Sequence, residues 1–117
     1  MTQELKRYDI VLVDFGDNMD SEQSGVRPAI IIQNDIGNLY STTTLVVPLT
    51  SQHKSLNQPT HTLIKKGVEK GLIKDSIVLA ECLRQISEKR IKKYLGRISD
   101  NTEQNEIRRA YEANFGE

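Results

Sequence analysis

The sequence predicts a small, mainly β domain: an antiparallel barrel of five or six short strands carrying one C-terminal α-helix. Three observations lead there. Short runs rich in Ile, Val and Thr, bounded by turn-forming residues, recur as far as Ile98. The segments joining them are polar and glycine-bearing rather than helical, so no βαβ rhythm develops. A helical apolar period appears at the C-terminus, from Asp100 onward. At 117 residues, residues 1–117 form one domain by size, able to bury roughly two-thirds of the unfolded surface.

The elements follow in order. Tyr8 to Asp14 alternates weakly and reads as a largely buried strand. Phe15 to Val26 is a polar loop longer than a hairpin needs. Arg27 to Asn34 is a strand whose three isoleucines imply burial on both faces, and Asn34 to Asn38 is turn chemistry. Thr42 to Ser51 is a long β-branched strand in which Pro48 implies an edge or a bulge. Gln52 to Gln58 is a loop, Pro59 to Ile64 a short strand, and Lys65 to Asp75 a lysine-rich connection containing glycine. Ser76 to Ile86 is a strong strand, Ser87 to Arg90 one helical turn, and Tyr94 to Ile98 a last short strand. Asp100 with Glu103 three residues on has the form of a capping box. Ile107, Ala110, Tyr111 and Phe115 then fall on one helical face, which should pack on the sheet.

Composition excludes several classes. No apolar run approaches the ~18 residues of a membrane span, and the first residues lack the apolar region of a signal peptide; a cytoplasmic protein is expected. The single cysteine, Cys82, excludes an internal disulfide and reads as a small core residue. Phosphate-binding glycine loops and dinucleotide fingerprints are absent. His53 and His61 with one distant cysteine are too sparse for a metal site, so neither metal nor cofactor is expected. Formal net charge is zero, but its distribution is uneven. Met1 to Asp35 carries seven acids against three bases, and His53 to Arg97 eleven bases against four acids. That asymmetry allows a basic surface for a polyanion on a neutral protein.

Arg27 stands out among the charged residues. The ring of Pro28 pushes it into an extended conformation, and proline itself suits the first residue of a strand. A cation that keeps its proton is thereby fixed where a polar loop meets the sheet, a placement suited to gripping phosphate.

The run from Ser21 to Pro28, SEQSGVRP, resembles the signature of the MazF/PemK toxins of bacterial toxin–antitoxin pairs. The likeness continues through Asp9–Asp14, Ile32–Asn38, Val47–Ser51, Pro59–His61, Asp75–Leu79 and Glu81–Ile86. It implies an SH3-like, CcdB-like barrel acting as a homodimer. The implied activity is a metal-independent endoribonuclease on single-stranded RNA, mRNA above all, held in check by a MazE-like cognate antitoxin laid across the RNA groove. Carried over by position, Arg27 and Thr50 are the expected catalytic pair, with Glu22 as an acidic loop partner. Ser21, Gln23, Ser51, Glu81 and Arg84 are expected at the RNA. Two positions depart from the family pattern. Tyr8 stands where glycine is usual, and Cys82 where glutamine is common, which bears on the cleavage sequence more than on cleavage.

Metal-free RNA cleavage uses the 2′-hydroxyl as nucleophile and gives a 2′,3′-cyclic phosphate and a 5′-hydroxyl. Arg27 suits charge stabilisation on the phosphorane, its planar fork pairing two oxygens. Thr50 can hydrogen-bond the phosphate or the 2′-hydroxyl, and Glu22 is the chemically natural base. The proton-transfer roles stay open at this stage. Two other readings compete: a CcdB-like gyrase poison without catalysis of its own, and a barrel that only binds RNA or protein.

Overall fold

The computed structural model describes residues 4–16 and 25–116. Its strands are β1 (Asp9–Asp14), β2 (Val26–Ile31), β3 (Thr43–Thr50), β4 (His61–Ile64), β5 (Ser76–Leu79), β6 (Arg84–Ser87) and β7 (Ile91–Arg97), with helices α1 (Asp35–Tyr40) and α2 (Asn101–Glu112). All pairings are antiparallel, in the order β4-β5-β3-β2-β1-β7, with β6 added along β3. The class is the one expected, with one difference: the described strands do not close into a hydrogen-bonded ring.

Both faces of the central strands are buried, which is why β1 and β2 read as unbroken apolar runs. Ile10, Ile30, Val47 and Leu49 face a cluster completed by Ile107 and Ala110 of α2. Val11, Val13, Ala29, Ile31 and Val46 face a second one, with Leu5, Phe15, Ile86 and Ile91. The isoleucines of β2 and its continuation, Ile30, Ile31 and Ile32, are all buried.

The expected strand from Ser76 to Ile86 is two strands. Leu49 pairs with Val78 and Thr50 with Ile77, whereas Val46 pairs with Arg84 and Thr44 with Ile86. Continued unbroken, the first register would bring residue 81 opposite Val46. Three extra residues must therefore loop out, and the 3-10 turn Ala80–Cys82 sits in that stretch. Pro48 lies on β3 at the changeover, paired with Ala29 on its other side. The proline is neither on an edge nor in a bulge of its own strand. Its missing N–H falls where the neighbouring chain leaves the ladder.

Asn34 to Asn38, expected as a turn, begins α1. The Asn34 side chain accepts the Gly37 N–H at 2.7 Å. Buried Asn38 donates to the Gln33 carbonyl and accepts from Thr44 Oγ at 2.6 Å. At α2 the Glu103 N–H donates to Asp100 Oδ2 at 2.9 Å, so the cap forms. The Glu103 carboxylate turns instead to Lys70 Nζ, 2.9 Å away. Phe115 lies past α2 in a 3-10 turn and is exposed, so the apolar face ends earlier than its spacing suggests. No helix among the described residues is long and apolar enough to cross a membrane.

Tyr8 has φ +76°, a left-handed conformation that glycine adopts without penalty. Its N–H donates to Ile31 at 2.7 Å and its carbonyl accepts from Ile98 at 3.0 Å, so the strained backbone is pinned from both sides. Tyr8→Gly is expected to be more stable than Tyr8→Ala by ~1–2 kcal/mol. Urea midpoints for the two variants measure the strain without the confounding loss of the ring, and equal midpoints would remove it.

Candidate active site

The hairpin of β1 and β2 aligns Val13 with Arg27 and Leu12 with Pro28. At its loop end the Phe15 N–H donates to the Gly25 carbonyl at 2.9 Å, and the Gly25 N–H to the Gly16 carbonyl at 2.8 Å. This narrow neck sets Arg27 two residues after the loop returns. Extended backbone there is what Pro28 requires of the residue before it.

Arg27 opens onto a cleft of about 320 Å3. Its walls are Arg27 and Pro28 of β2, Leu49 to Gln52 at the end of β3, Gly71 to Lys74, and Ser76. Arg27, Thr50 and Ser51, distant in sequence, thus share one cavity. Arg27 Nε is buried and has no hydrogen-bond partner among the described residues. Such a donor costs free energy unless something outside the fold satisfies it. Thr50 is 8% exposed, and its Oγ1 accepts the Gln52 N–H at 3.1 Å. That bond occupies a lone pair and fixes the rotamer; among the described residues the O–H is left to donate. Arg27 and Lys74 are the cations of the lining, and among the described residues the lining contains no carboxylate. Two such cations suit an anion.

Glu22, Ser21 and Gln23 lie outside the described residues. Glu81 and Arg84 are not among the cleft's lining. Arg84 places its guanidinium over the Phe15 ring, 5.3 Å from the centroid, a cation–π contact beside the hairpin neck. Glu81, on the looped-out turn, accepts from Thr60 Oγ1 at 3.0 Å and faces His61 Nε2 at 2.9 Å. His61 Nδ1 in turn meets the Ser55 carbonyl at 2.7 Å. Glu81 and His61 therefore tie the loop after Thr50 to the turn after β5. Burial pushes the Glu81 carboxyl up, but hydrogen bonds from His61, its own backbone and Thr60 outweigh it and hold the group below its ordinary value of 4.5. A depressed folded-state value contributes stability above the unfolded value, and that contribution is lost as pH falls through the folded one. Glu81→Gln is thus expected to lower the urea midpoint at neutral pH. The gap to wild type should narrow as pH drops below about 4.5; a gap independent of pH would remove the charge from the explanation.

Sequence reading missed Gln52, Lys74 and the Gly71–Ile73 wall. Lys65 to Asp75 was legible as a lysine-rich connection, but its position beside Arg27 is set by tertiary contacts.

The comparisons agree with this architecture. Residues 6–113 match the family model described as PemK-like, MazF-like toxin of type II toxin–antitoxin system. The chain is 38% identical over 112 residues to the Endoribonuclease MazF of Staphylococcus saprophyticus subsp. saprophyticus, covering 96% of this chain and 92% of that one. Among solved structures, MazF (Form-I) from Deinococcus radiodurans superposes with TM-score 0.80 at 20% identity, covering 98% and 99% of the two chains. An endoribonuclease in complex with its cognate antitoxin from Mycobacterial species gives TM-score 0.76 at 21% identity, covering 95% and 94%. With its family model spanning nearly the whole fold, the chain belongs to the PemK-like, MazF-like toxins of type II toxin–antitoxin systems.

Proposed function

We propose that the protein is an endoribonuclease toxin that cuts single-stranded RNA, mRNA above all, at a short sequence and without a metal. The observation that carries the reading is that Arg27, whose buried Nε has no hydrogen-bond partner among the described residues, lines one cleft with Thr50 and Lys74, and that no carboxylate stands among the described lining residues. In the step, the ribose 2′-oxygen attacks phosphorus and the bond to the 5′-oxygen breaks. The 2′-proton passes to a base, and another proton reaches the departing oxygen. Products are a 2′,3′-cyclic phosphate and a 5′-hydroxyl. Arg27 binds the charge that develops on the non-bridging oxygens, where a preorganised cation acts most strongly. The Thr50 O–H donates to the phosphate or positions the 2′-hydroxyl, its rotamer held by Gln52. Glu22 is the base of this scheme, and Ser21, Gln23, Ser51, Glu81 and Arg84 complete the RNA-binding set.

The relatives favour a nuclease over a gyrase poison, since the 38% identical relative is named an endoribonuclease. A cognate, MazE-like antitoxin is the expected inhibitor; the mycobacterial endoribonuclease of similar fold is found in complex with its cognate antitoxin. We place the protein in the cytoplasm as a homodimer. The test is purified protein with a long single-stranded transcript in EDTA, with cut sites and end groups mapped. Discrete cuts bearing cyclic phosphate ends are expected, with loss of rate in Thr50→Ala. Intact RNA, or gyrase trapped on DNA instead, would end the reading.

A further inference from the structure

Val68 and Ile73 are the most exposed large apolar side chains among the described residues, at 97% and 88%. They stand on a short segment that is rigidly held. Gly67 and Leu72 form a bridge. Lys70, buried inside the segment, donates from Nζ to the Lys65 carbonyl at 2.8 Å and pairs with Glu103 of α2 at 2.9 Å. The segment's backbone also lies directly on that of β7 at Leu95 and Gly96. Apolar side chains on a mobile loop would mean little, but here the backbone that carries them is held in place, and they face solvent.

The ledge adjoins the cleft. Its groove is lined by Lys66, Gly67, Val68, Gly71, Leu72 and Ile73, and Gly71, Leu72 and Ile73 also line the Arg27 cleft. Among the described residues the two linings contain Arg27, Lys66 and Lys74 and no acidic residue, although the Asp75 carboxylate accepts the Lys66 N–H at 2.8 Å nearby. A surface that combines cations with exposed apolar side chains matches a polynucleotide, which offers phosphates and base faces together.

We propose that the Val68–Ile73 ledge is a flanking nucleotide subsite, where the base next to the scissile phosphate lies against Ile73 and Val68 while Lys74 holds the adjoining phosphate. This deepens the nuclease reading and rests on it. An unstacked base buries its apolar face on these side chains, and the binding energy is realised away from the reacting bond.

The experiment uses the full chain and RNA oligonucleotides centred on a cut site mapped in a transcript. One substrate extends several nucleotides on both sides, and truncations stop next to the cut on either side. The double variant V68S/I73S changes two solvent-facing side chains, so the fold is not at risk. About a tenfold loss in kcat/KM is expected on the long substrate, with little change on the truncation that lacks the flanking base. An abasic site at that position should slow the wild type and leave the variant unaffected, a non-additive cycle. A wild-type rate on the long substrate, or an equal loss at every length, overturns the subsite. Normal cleavage with escape from the antitoxin also overturns it and assigns the ledge to protein docking. Should the wild type cut no RNA in EDTA, the nuclease reading fails and the subsite with it, an outcome recognisable because no variant is involved.

Discussion

Replacing Arg27 with methionine is expected to slow RNA cleavage by a factor of about 10²–10³ while leaving the fold as stable as before, or more so. The two effects share one cause. Arg27 Nε is buried without a hydrogen-bond partner among the described residues, and an unsatisfied buried donor costs about 1–3 kcal/mol. Methionine keeps much of the length and the apolar contact of the stem without that donor. An arginine kept for structure would have its Nε paired. One kept for an incoming phosphate is costly until substrate arrives, a common trade between stability and activity. Arg27→Lys separates charge from geometry: it keeps the cation and loses the planar pair of donors, so a rate between those of wild type and Arg27→Met is expected. Initial rates in EDTA and urea midpoints on the same preparations check both halves. A lower midpoint for Arg27→Met would show the fork engaged within the fold, and the unsatisfied donor would no longer account for phosphate binding.

Arg27 was legible from sequence because its constraint is local. Pro28 restricts it, and the strand begins beside it whatever the rest of the chain does. The strands were legible for a similar reason, since β1 and β2 are buried on both faces and read as apolar runs. The break between β5 and β6 was not. It follows from a three-residue shift in register against β3, and register belongs to two distant segments at once. Pro48 was the visible trace, correctly marking an irregularity but on the wrong strand. Helix α1 was missed because its Ile36, Leu39 and Tyr40 are exposed and give no buried stripe. Its support is the Asn34 cap and the Asn38 hydrogen bonds. Thr50 was placed by resemblance, and the structure adds the Gln52 N–H that orients it. Lys74 and Ile73 carry no local signal at all, since only the fold brings them to Arg27.

The contact that brings them there is backbone against backbone. At Gly71 a Cβ would lie 2.2 Å from the Leu95 carbonyl oxygen, and at Gly96 another would lie 2.4 Å from both the Glu69 oxygen and the Lys70 carbonyl carbon. Neither neighbour is a side chain that can swing aside. Gly71→Ala and Gly96→Ala are each expected to cost roughly 3 kcal/mol or more, lowering Tm by on the order of 10 °C or more. Gly71 also has φ +69°, so conformational strain adds to collision, and Gly25→Ala separates the two. Gly25 has φ +79° with open space around its would-be Cβ, and its variant should lose only the ~1–2 kcal/mol of the left-handed conformation. If Gly71→Ala cost no more than Gly25→Ala, the close approach to β7 would not be what holds the segment. If it costs more, as expected, the cleft wall should move with it. Gly71→Ala assayed well below its own Tm should then cleave poorly although folded, because Leu72, Ile73 and Lys74 follow directly from that glycine and line the same cleft as Arg27 and Thr50.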